Sequence, residues 1–221
     1  MNWFYKNREE RSKWLAKRFE SEISDSKNLL DIGCYNADLK NFISKNINYT
    51  GIDIAGKPDV FLNLDKIEKL PFNDNSFDTI VCADVLEHLE NIHLIFDELC
   101  RVSNKNIIIT LPNAYANIPD FFLAKKYSKN IETQKQFGKH IKFYGLPLEK
   151  PDDRHRWFFS FSEAIDFIKY RAQKFNFKVS IIESEHNHLN IKSLKLLILK
   201  ILRKINKNLI DRNIIILLKK Q

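Results

Sequence analysis

Two short apolar runs near the start of the chain end in residues that can bind a nucleoside. The first run begins at Leu29 and leads into Asp31 and Gly33, and the second run ends in Asp53. In an open parallel sheet, ligands bind beyond the carboxyl ends of the strands, where the strand order reverses. A carboxylate beside a glycine turn can accept hydrogen bonds from the two hydroxyls of a ribose. The spacing therefore predicts a nucleoside cofactor at this edge of a sheet.

The glycine pattern excludes two common kinds of phosphate site. A dinucleotide fingerprint, G-x-G-x-x-G counted from Gly33, would need glycines where Tyr35 and Asp38 stand. The P-loop pattern G-x-x-x-x-G-K-[ST] occurs nowhere in the sequence. We therefore predict a cofactor without phosphates.

Several motifs in order resemble the class I S-adenosylmethionine-dependent methyltransferases, whose first motif reads approximately V-L-D-I-G-C-G-x-G. The matching segments are Leu29–Cys34, Asn63–Asp65, Leu70–Asp78, Val85–Leu89, Glu98–Val102 and Leu111–Asn113. The resemblance implies S-adenosyl-L-methionine as the cofactor. It also implies an α/β, Rossmann-like fold with a mostly parallel seven-stranded sheet in the order 3-2-1-4-5-7-6. Helices would cover both faces, the last strand would be antiparallel, and a lid would follow strand five.

One loop departs from that family pattern. Tyr35 and Ala37 stand where the motif has two further glycines. Glycine tolerates positive φ and close approach of a ligand, whereas tyrosine and alanine do so poorly. Apart from Gly33, Asn36 is the residue here that enters the left-handed region at low cost. Either the loop follows a different path with the cofactor still bound, or the cofactor site is weakened.

The resemblance assigns cofactor contacts residue by residue. Asp53 would bind the ribose, and Asp31 would either contact the methionine amine or hold the glycine turn. Leu64 and Asp65 would contact the adenine, with Asn63 as an alternative hydrogen-bonding partner. The full predicted set is Asp31, Gly33, Cys34, Tyr35, Asp53, Ile54, Asn63, Leu64, Asp65, Ala83 and Asp84.

Two residues are predicted to be catalytic. Asp84 would follow strand four beneath the sulfonium and add negative potential there, or it would cap a helix. His155 lies in a segment that resembles the H-x-x-x-F-[ST] pattern of many small-molecule and glycan methyltransferases. Its imidazole titrates near neutrality, so it can take a proton from an acceptor hydroxyl. The alternative is a histidine that only holds the lid.

The same stretch supplies candidate acceptor contacts. Arg154 and Arg156 would bind a phosphate or carboxylate on the acceptor, or pair with Asp152 and Asp153. The predicted acceptor-binding residues are Arg154, Arg156, Trp157 and Tyr144.

No metal site is predicted. Glu87 and His88 are adjacent, and adjacent helical residues point about 100° apart, so a structural role is favoured for both. His186 and His188 flank one residue, but no carboxylate or cysteine completes a ligand set, and surface positions are expected for both.

The elements that position these residues follow from hydrophobic periodicity and turn signals. Helices are predicted over Trp3–Ile23, Asp38–Lys45, Glu90–Val102 and Phe161–Phe175. Strands are predicted over Leu29–Gly33, Tyr49–Ile54, Asp59–Leu64, Phe77–Ala83, Asn106–Leu111, Lys178–Glu183 and Asn213–Leu218. Only four residues separate the second and third strands, too few for a crossover helix, so a loop is expected there.

Residues 1–221 are predicted to form a single methyltransferase domain. An N-terminal helix would occupy 1–25, and an aromatic-rich lid for the acceptor would occupy 113–160. A long irregular connection of that kind is usually functional. A basic amphipathic helix would occupy 189–211 and either contact an anionic membrane through 189–210 or pack on the sheet.

The charge is concentrated at one end of the chain. The net charge is +8, and residues 189–221 carry all of it, with nine basic residues and one acidic residue. The neutral remainder argues against a nucleic-acid partner. Three cysteines without a C-x-x-C pattern, and no signal peptide, favour the cytoplasm. Peripheral contact with the inner membrane face is the location expected of the basic helix.

Three functions are consistent with these features. The first is methyl transfer to an oxygen or nitrogen of a small-molecule, sugar or lipid-linked glycan acceptor, for example in surface polysaccharide synthesis. The second is a catalytically degenerate regulatory subunit, because Arg101–Asn113 also resembles the W-type proteins of methionine biosynthesis. The third is an RNA methyltransferase.

Overall fold

The computed structural model describes residues 7–117, 154–184, 211 and 213–221. Within these residues, seven strands form one sheet in the order β3-β2-β1-β4-β5-β7-β6. The strands are β1 Asn28–Ile32, β2 Asn48–Asp53, β3 Val60–Phe61, β4 Phe77–Ala83, β5 Ser103–Pro112, β6 Phe177–Ser184 and β7 Asn213–Lys220. The first five are parallel, and β7 is antiparallel to both β5 and β6. The predicted fold class, strand order and antiparallel strand are confirmed.

The register brings three strand ends to one edge. Ile32 of β1 pairs with Ile52 of β2 on one side and with Cys82 of β4 on the other. The residues that follow these strands, Gly33 and Asp84 among them, therefore meet at the carboxyl edge of the sheet. This edge is where a ligand binds in an open parallel sheet.

Both faces of the sheet are buried, as parallel sheets require. Side chains alternate along β4, so Ile80 and Cys82 belong to one core, and Val81 and Ala83 to the other. The first core contains the apolar faces of α3 (Ile92–Val102) and α4 (Phe161–Gln173). The second contains Trp14, Leu15 and Phe19 from the N-terminal helical region.

The helices are close to the predicted ones, with one interruption. The predicted N-terminal helix divides into α1 (Arg8–Arg18) and α2 (Glu20–Ser24), because Phe19 leaves helical geometry at φ −112° and ψ 32°. Ser160 is the N-cap residue of α4. Its side chain accepts from the amide of Glu163, whose own side chain accepts from the Ser160 amide.

Two predicted elements are shorter than expected. The helix predicted over Asp38–Lys45 is a single 3-10 turn, Asp38–Phe42, because Ile43 is already extended at φ −112° and ψ 164°. Strand β3 has two residues instead of six, because the Asn63 side chain accepts from the Asp65 amide at 3.0 Å and turns the chain into a 3-10 turn. As predicted, no helix lies between β2 and β3.

Some predictions fall outside the described residues. They are Tyr144, Asp152, Asp153, His186, His188, most of the lid over 118–153, and the basic helix over 189–210. None of the helices in the described parts of the chain is long and apolar enough to cross a membrane.

Candidate cofactor and acceptor site

The loop after β1 adopts a left-handed backbone without its family glycines. Gly33, Tyr35 and Ala37 have φ values of +72°, +49° and +57°. Tyr35 and Ala37 thus take the conformation that glycine takes at least cost, so the loop forms without glycine at either position. Asn36, expected to be the residue entering this region, is not among the positive-φ residues. Both alternatives for this loop, a different path with the cofactor still bound and a weakened cofactor site, therefore stay predictions.

Several contacts of Tyr35 offset the cost of this conformation, which is about 1–2 kcal/mol for a residue other than glycine. Its carbonyl accepts from the Lys57 amide at 2.7 Å. The Arg8 guanidinium of α1 lies 4.6 Å from the centre of its ring. Gly56 also packs closely against the Tyr35 main chain, since an added Cβ at Gly56 would lie 2.4 Å from the Tyr35 carbonyl oxygen.

Asp53 fastens the glycine loop to the end of β2. Its Oδ2 accepts from the Tyr35 amide at 2.8 Å, and its Oδ1 accepts from the Ala55 amide at 3.0 Å. Each carboxylate oxygen retains a second lone pair, so Asp53 can still accept hydrogen bonds from a ligand. The following residue, Ile54, is 65% exposed, and Phe61 of β3 is 66% exposed. Two apolar side chains therefore border the carboxylate on the sheet edge.

Asp31 is buried beneath the loop. It accepts a hydrogen bond from the Tyr49 hydroxyl at 2.7 Å. Burial raises the pKa of Asp31 to about 7, with the Tyr49 hydrogen bond and the Arg11 charge opposing the rise. Burial also raises the pKa of the Cys34 thiol to about 12, assisted by the charges of Asp31 and Asp53. Cys34 is therefore a thiol and not a nucleophile at neutral pH.

Asp84 joins the end of β4 to α1. Its Oδ2 accepts from an Arg11 guanidinium nitrogen at 2.5 Å, and its Oδ1 accepts from the Thr110 hydroxyl at 2.6 Å. Burial alone would raise the pKa of Asp84, but the Arg11 charge and these hydrogen bonds hold it below the usual value. Asp84 has φ +55°, and Val85, not Asp84, is the cap residue of the next 3-10 turn. The helix-capping alternative is therefore wrong.

Sequence reasoning missed the contribution of α1. Arg8, Arg11 and Ser12 line one pocket together with Asp31, Gly33 and Cys34 of the glycine loop and with Val81 and Ala83 of β4. A signal for it exists in the sequence, because positions 8, 11, 12 and 15 share one face of a helix, and Leu15 is buried. Polar residues on the buried face of a helix need a partner, and the carboxylates of the sheet edge provide it.

The residues predicted to contact adenine lie in the turn after β3. Leu64 is buried in the core, and Asn63 caps the turn. The Asp65 Oδ1 accepts from the Glu90 amide at 2.9 Å, and its Oδ2 lies 3.8 Å from an Arg156 guanidinium nitrogen. Asp65 thus faces the start of α3, while the adenine assignments of all three residues stay predictions.

The segment 154–160 is attached to the turn after β4. The Arg156 amide donates to the Glu87 carbonyl at 2.9 Å, and its side chain donates to the His88 carbonyl at 2.7 Å and pairs with Glu90. The Trp157 indole donates to the Leu89 carbonyl at 2.6 Å. Arg156 and Trp157 are therefore engaged in holding this segment, whereas Arg154 is exposed. Their predicted acceptor contacts stay predictions.

This attachment brings His155 beside Glu87 and His88. The Nε2 atoms of both histidines lie 3.8 Å from Oε1 of Glu87, and the two imidazole rings meet edge to face at 4.6 Å. Glu87 and His155 are buried. We call these three residues the Glu87 cluster. Although adjacent residues point about 100° apart at Cβ, the long side chains of Glu87 and His88 converge at their tips.

Solved structures share this architecture. A SAM-dependent methyltransferase from Archaeoglobus fulgidus matches with a TM-score of 0.62 at 18% identity, over 98% of this chain and 96% of that chain. The PH0226 protein from Pyrococcus horikoshii OT3 matches with a TM-score of 0.58 at 14% identity, over 98% and 93%. The [4+2]-cyclase SpnF matches with a TM-score of 0.52 at 11% identity, over 96% and 81%. At these identities the likeness shows the fold alone.

The family is decided by the sequence. A family model described as a methyltransferase domain matches residues 4–180. The chain belongs to the class I S-adenosylmethionine-dependent methyltransferases. Among curated proteins, no relative matches it.

The pocket of this methyltransferase fits S-adenosyl-L-methionine, the cofactor of the family. Gly33 lies so close to Val85 that an added Cβ would be 2.3 Å from a Val85 methyl, so this turn requires glycine. Asp53 presents acceptors for hydroxyls, Asp31 presents a carboxyl group, and Arg11 presents a guanidinium cation. That pair matches the ammonium and carboxylate of the methionine part.

Proposed function

We propose that this methyltransferase transfers the methyl group of S-adenosyl-L-methionine to an oxygen or nitrogen of a small-molecule, sugar or lipid-linked glycan acceptor. The observation that carries the proposal is the Glu87 cluster just after the carboxyl end of β4, whose carboxylate oxygen and imidazole nitrogens lie within 4.8 Å of one another. Carboxylate and imidazole groups form hydrogen bonds with hydroxyl and amino groups, so the Glu87 cluster suits a polar acceptor. The neutral charge of residues 1–188 disfavours a nucleic-acid acceptor.

In this proposal the cofactor lies across the ends of β1, β2 and β4. Asp53 binds the ribose hydroxyls, and the exposed Ile54 lies against the adenine. Asp31 accepts from the methionine ammonium. Arg11 leaves Asp84 to bind the methionine carboxylate, and Asp84 then faces the positive sulfonium. The pairings made by Asp31, Arg11 and Asp84 place opposite charges together, and burial strengthens their attraction.

Positioning is the chief contribution of the protein to such a transfer. The bound cofactor supplies an electrophilic methyl group, and the chain holds the acceptor atom in line with it. Correct alignment alone can contribute about 7–11 kcal/mol to lowering the barrier. The role of His155 as the base stays a prediction, because its Nε2 must then reach the acceptor while lying 3.8 Å from Glu87.

Calorimetric titration with S-adenosylhomocysteine tests the cofactor assignment. We expect the Asp53→Asn variant to bind at least about tenfold more weakly, because a charge-assisted hydrogen bond contributes about 1.5–3 kcal/mol. Asp166→Asn on the exposed side of α4 is the matched control and should bind as wild type. Equal affinity of the Asp53 variant and wild type would overturn the ribose assignment.

A methyl-label screen tests the acceptor class. Labelled S-adenosyl-L-methionine is offered with nucleotide sugars, extracted glycolipids, amino-group acceptors or RNA. Incorporation into a sugar or glycolipid supports the proposal. Incorporation into RNA alone contradicts it and restores the RNA methyltransferase alternative.

We also propose that residues 189–210 contact an anionic membrane, which would place the enzyme near a lipid-linked acceptor. Truncation cannot test this idea, since it would remove β7, which pairs with both β5 and β6. Instead, Lys200, Arg203, Lys204 and Lys207 are changed together to glutamine. We expect flotation with anionic vesicles to fall for this variant and not for a control that changes the exposed Lys13, Lys17, Lys57 and Lys69. Equal flotation of both would refute the contact.

A further inference from the structure

We propose that Glu87, His88 and His155 form a binding site for one divalent transition-metal ion, such as Zn²⁺, Mn²⁺, Fe²⁺ or Co²⁺. The ion would lie beside the acceptor and offer open coordination positions to its oxygen. This use of the ion rests on the proposed function, whereas the binding of the ion does not.

The positions of the ligand atoms carry the first part of the argument. One carboxylate oxygen and two imidazole nitrogens, one from each residue, all lie within 4.8 Å of one another. Both pairs that include the Glu87 oxygen are separated by 3.8 Å. Ligands around a tetrahedral ion at about 2.1 Å are roughly 3.4 Å apart. To surround an ion, the two pairs with Glu87 would have to close by about 0.4 Å and the two imidazole nitrogens by at most about 1.4 Å, which side-chain rotation can supply.

The backbone around the cluster is built to hold it. His88 and Glu87 belong to the 3-10 turn Leu86–His88, and His155 comes from a segment far along the chain. The hydrogen bonds from Arg156 to the Glu87 and His88 carbonyls fix the two segments against each other on either side of the cluster. The ligand atoms are thus positioned by the fold and not by flexible surface chains, and such preorganisation favours metal binding.

The donor set selects the kind of ion. Two imidazoles and one carboxylate suit Zn²⁺ and the neighbouring first-row metals, and three protein ligands leave positions open. Mg²⁺ and Ca²⁺ prefer oxygen ligands, and this cluster offers only one carboxylate. Burial strengthens the case, because the Glu87 side chain is 1% exposed and that of His155 is 5% exposed. A buried carboxylate beside two imidazoles is well placed to be neutralised by a cation.

The site is located where an acceptor atom must come. Glu87 follows Asp84 by three residues, just beyond the carboxyl end of β4 at Ala83. An ion here can bind an acceptor hydroxyl and orient it toward the end of β4. This arrangement gives His155 a ligand role instead of the predicted role as base.

Metal titration of the full-length protein tests the proposal. After treatment with EDTA and its removal, wild type is titrated with Co²⁺, and the visible absorption of the ion is recorded. Zn²⁺ affinity is then measured by competition with a coloured chelator. We expect one bound ion that involves the cluster. Loss of second-shell partners already costs about 10–100-fold in metal affinity, so Glu87→Gln and His155→Asn should each cost more than about 100-fold.

Three further variants keep the test decisive. His88→Asn changes the most exposed member of the cluster, so it provides a result if the buried variants fail to fold. His93→Asn, on the exposed surface of α3, is the matched control and should bind as wild type. The double variant His186→Asn/His188→Asn should also bind as wild type. The proposal is overturned by absence of binding in wild type, by normal binding in the cluster variants, or by loss of binding in the His186/His188 variant.

The cofactor assignment is separated from this outcome by repeating the S-adenosylhomocysteine titration in EDTA. Normal cofactor binding without the metal would show that a failure of the metal proposal leaves the cofactor site unaffected. Failure of cofactor binding with intact Co²⁺ binding would show the reverse.

Discussion

The two halves of the site are built in different ways. On the cofactor side, the loop after β1 is held through its own main-chain amides: Gly33 and Cys34 donate to the Ile52 carbonyl, and the Tyr35 amide donates to the Asp53 carboxylate. On the acceptor side, the Glu87 cluster depends on side chains from two segments about 70 residues apart. Because these hydrogen bonds join short motifs at the ends of β1 and β2, those motifs determine the structure of the cofactor half. The acceptor half forms only when the chain has folded and brought the two segments together.

The largest effect is expected at Asp31, on the cofactor side. Its folded pKa of about 7 lies above its ordinary value of 3.8. The unfolded chain therefore loses this proton first as the pH rises, and the folded state loses stability between these two pH values. Complete ionisation costs up to about 4 kcal/mol. We expect Asp31→Asn to stabilise the protein by about 2–3 kcal/mol more at pH 8 than at pH 5, measured by urea unfolding.

Proton release on cofactor binding distinguishes the two roles predicted for Asp31. If Asp31 accepts from the methionine ammonium, its carboxyl ionises on binding and releases a proton below pH 7. Calorimetry in two buffers of different ionisation enthalpy measures that proton. If Asp31 only supports the loop, the observed binding enthalpy will be the same in both buffers after correction for dilution.

Gly33→Ala should have an effect of similar size. The added Cβ would lie 2.3 Å from a Val85 methyl, and the residue would have to keep φ +72°. Together these costs predict a loss of about 3 kcal/mol in the free energy of unfolding. The double variant Gly33→Ala/Val85→Ala removes the clash and retains the strain. Recovery of none of the stability in the double variant would mean that the clash contributes little.

Arg156→Gln addresses the acceptor side alone. It removes the guanidinium bond to the His88 carbonyl and the ion pair with Glu90, with an expected loss of about 1–2 kcal/mol. Hydrogen–deuterium exchange should increase across residues 154–160, while the affinity for S-adenosylhomocysteine stays at the wild-type value. A parallel loss of cofactor affinity would show that the two halves are not independent.

The smallest effect is expected from Ala37→Gly. This change relieves a left-handed conformation at φ +57° but adds freedom to the unfolded chain. We expect a gain of about 0.5–1 kcal/mol by urea unfolding. A loss of stability would indicate that the Ala37 methyl group contributes packing that outweighs the strain.

The sequence was most informative where structure is local. Short apolar runs that end in acidic residues predicted β1, β2 and β4 and placed Asp31, Asp53 and Asp84 at one edge. Residue propensities predicted less well where each element ends. The side chain of Asn63 ends β3 after two residues, and Phe19 divides the predicted N-terminal helix into α1 and α2. The roles of Arg11 and of the Glu87 cluster were missed because each depends on a partner far along the chain. Hydrophobic periodicity carries no information about such a pairing.

The position of β7 has a consequence for synthesis on the ribosome. Strand β7 lies between β5 and β6, although it follows both in the sequence. When β6 emerges, it has no partner in the sheet, and the edge of β5 with its buried Ile107 and Ile109 is unpaired. An open apolar edge is a target for association with other chains. Until β7 is inserted, the nascent protein is therefore vulnerable to aggregation. Chaperone binding to β5 would be of most use during this period.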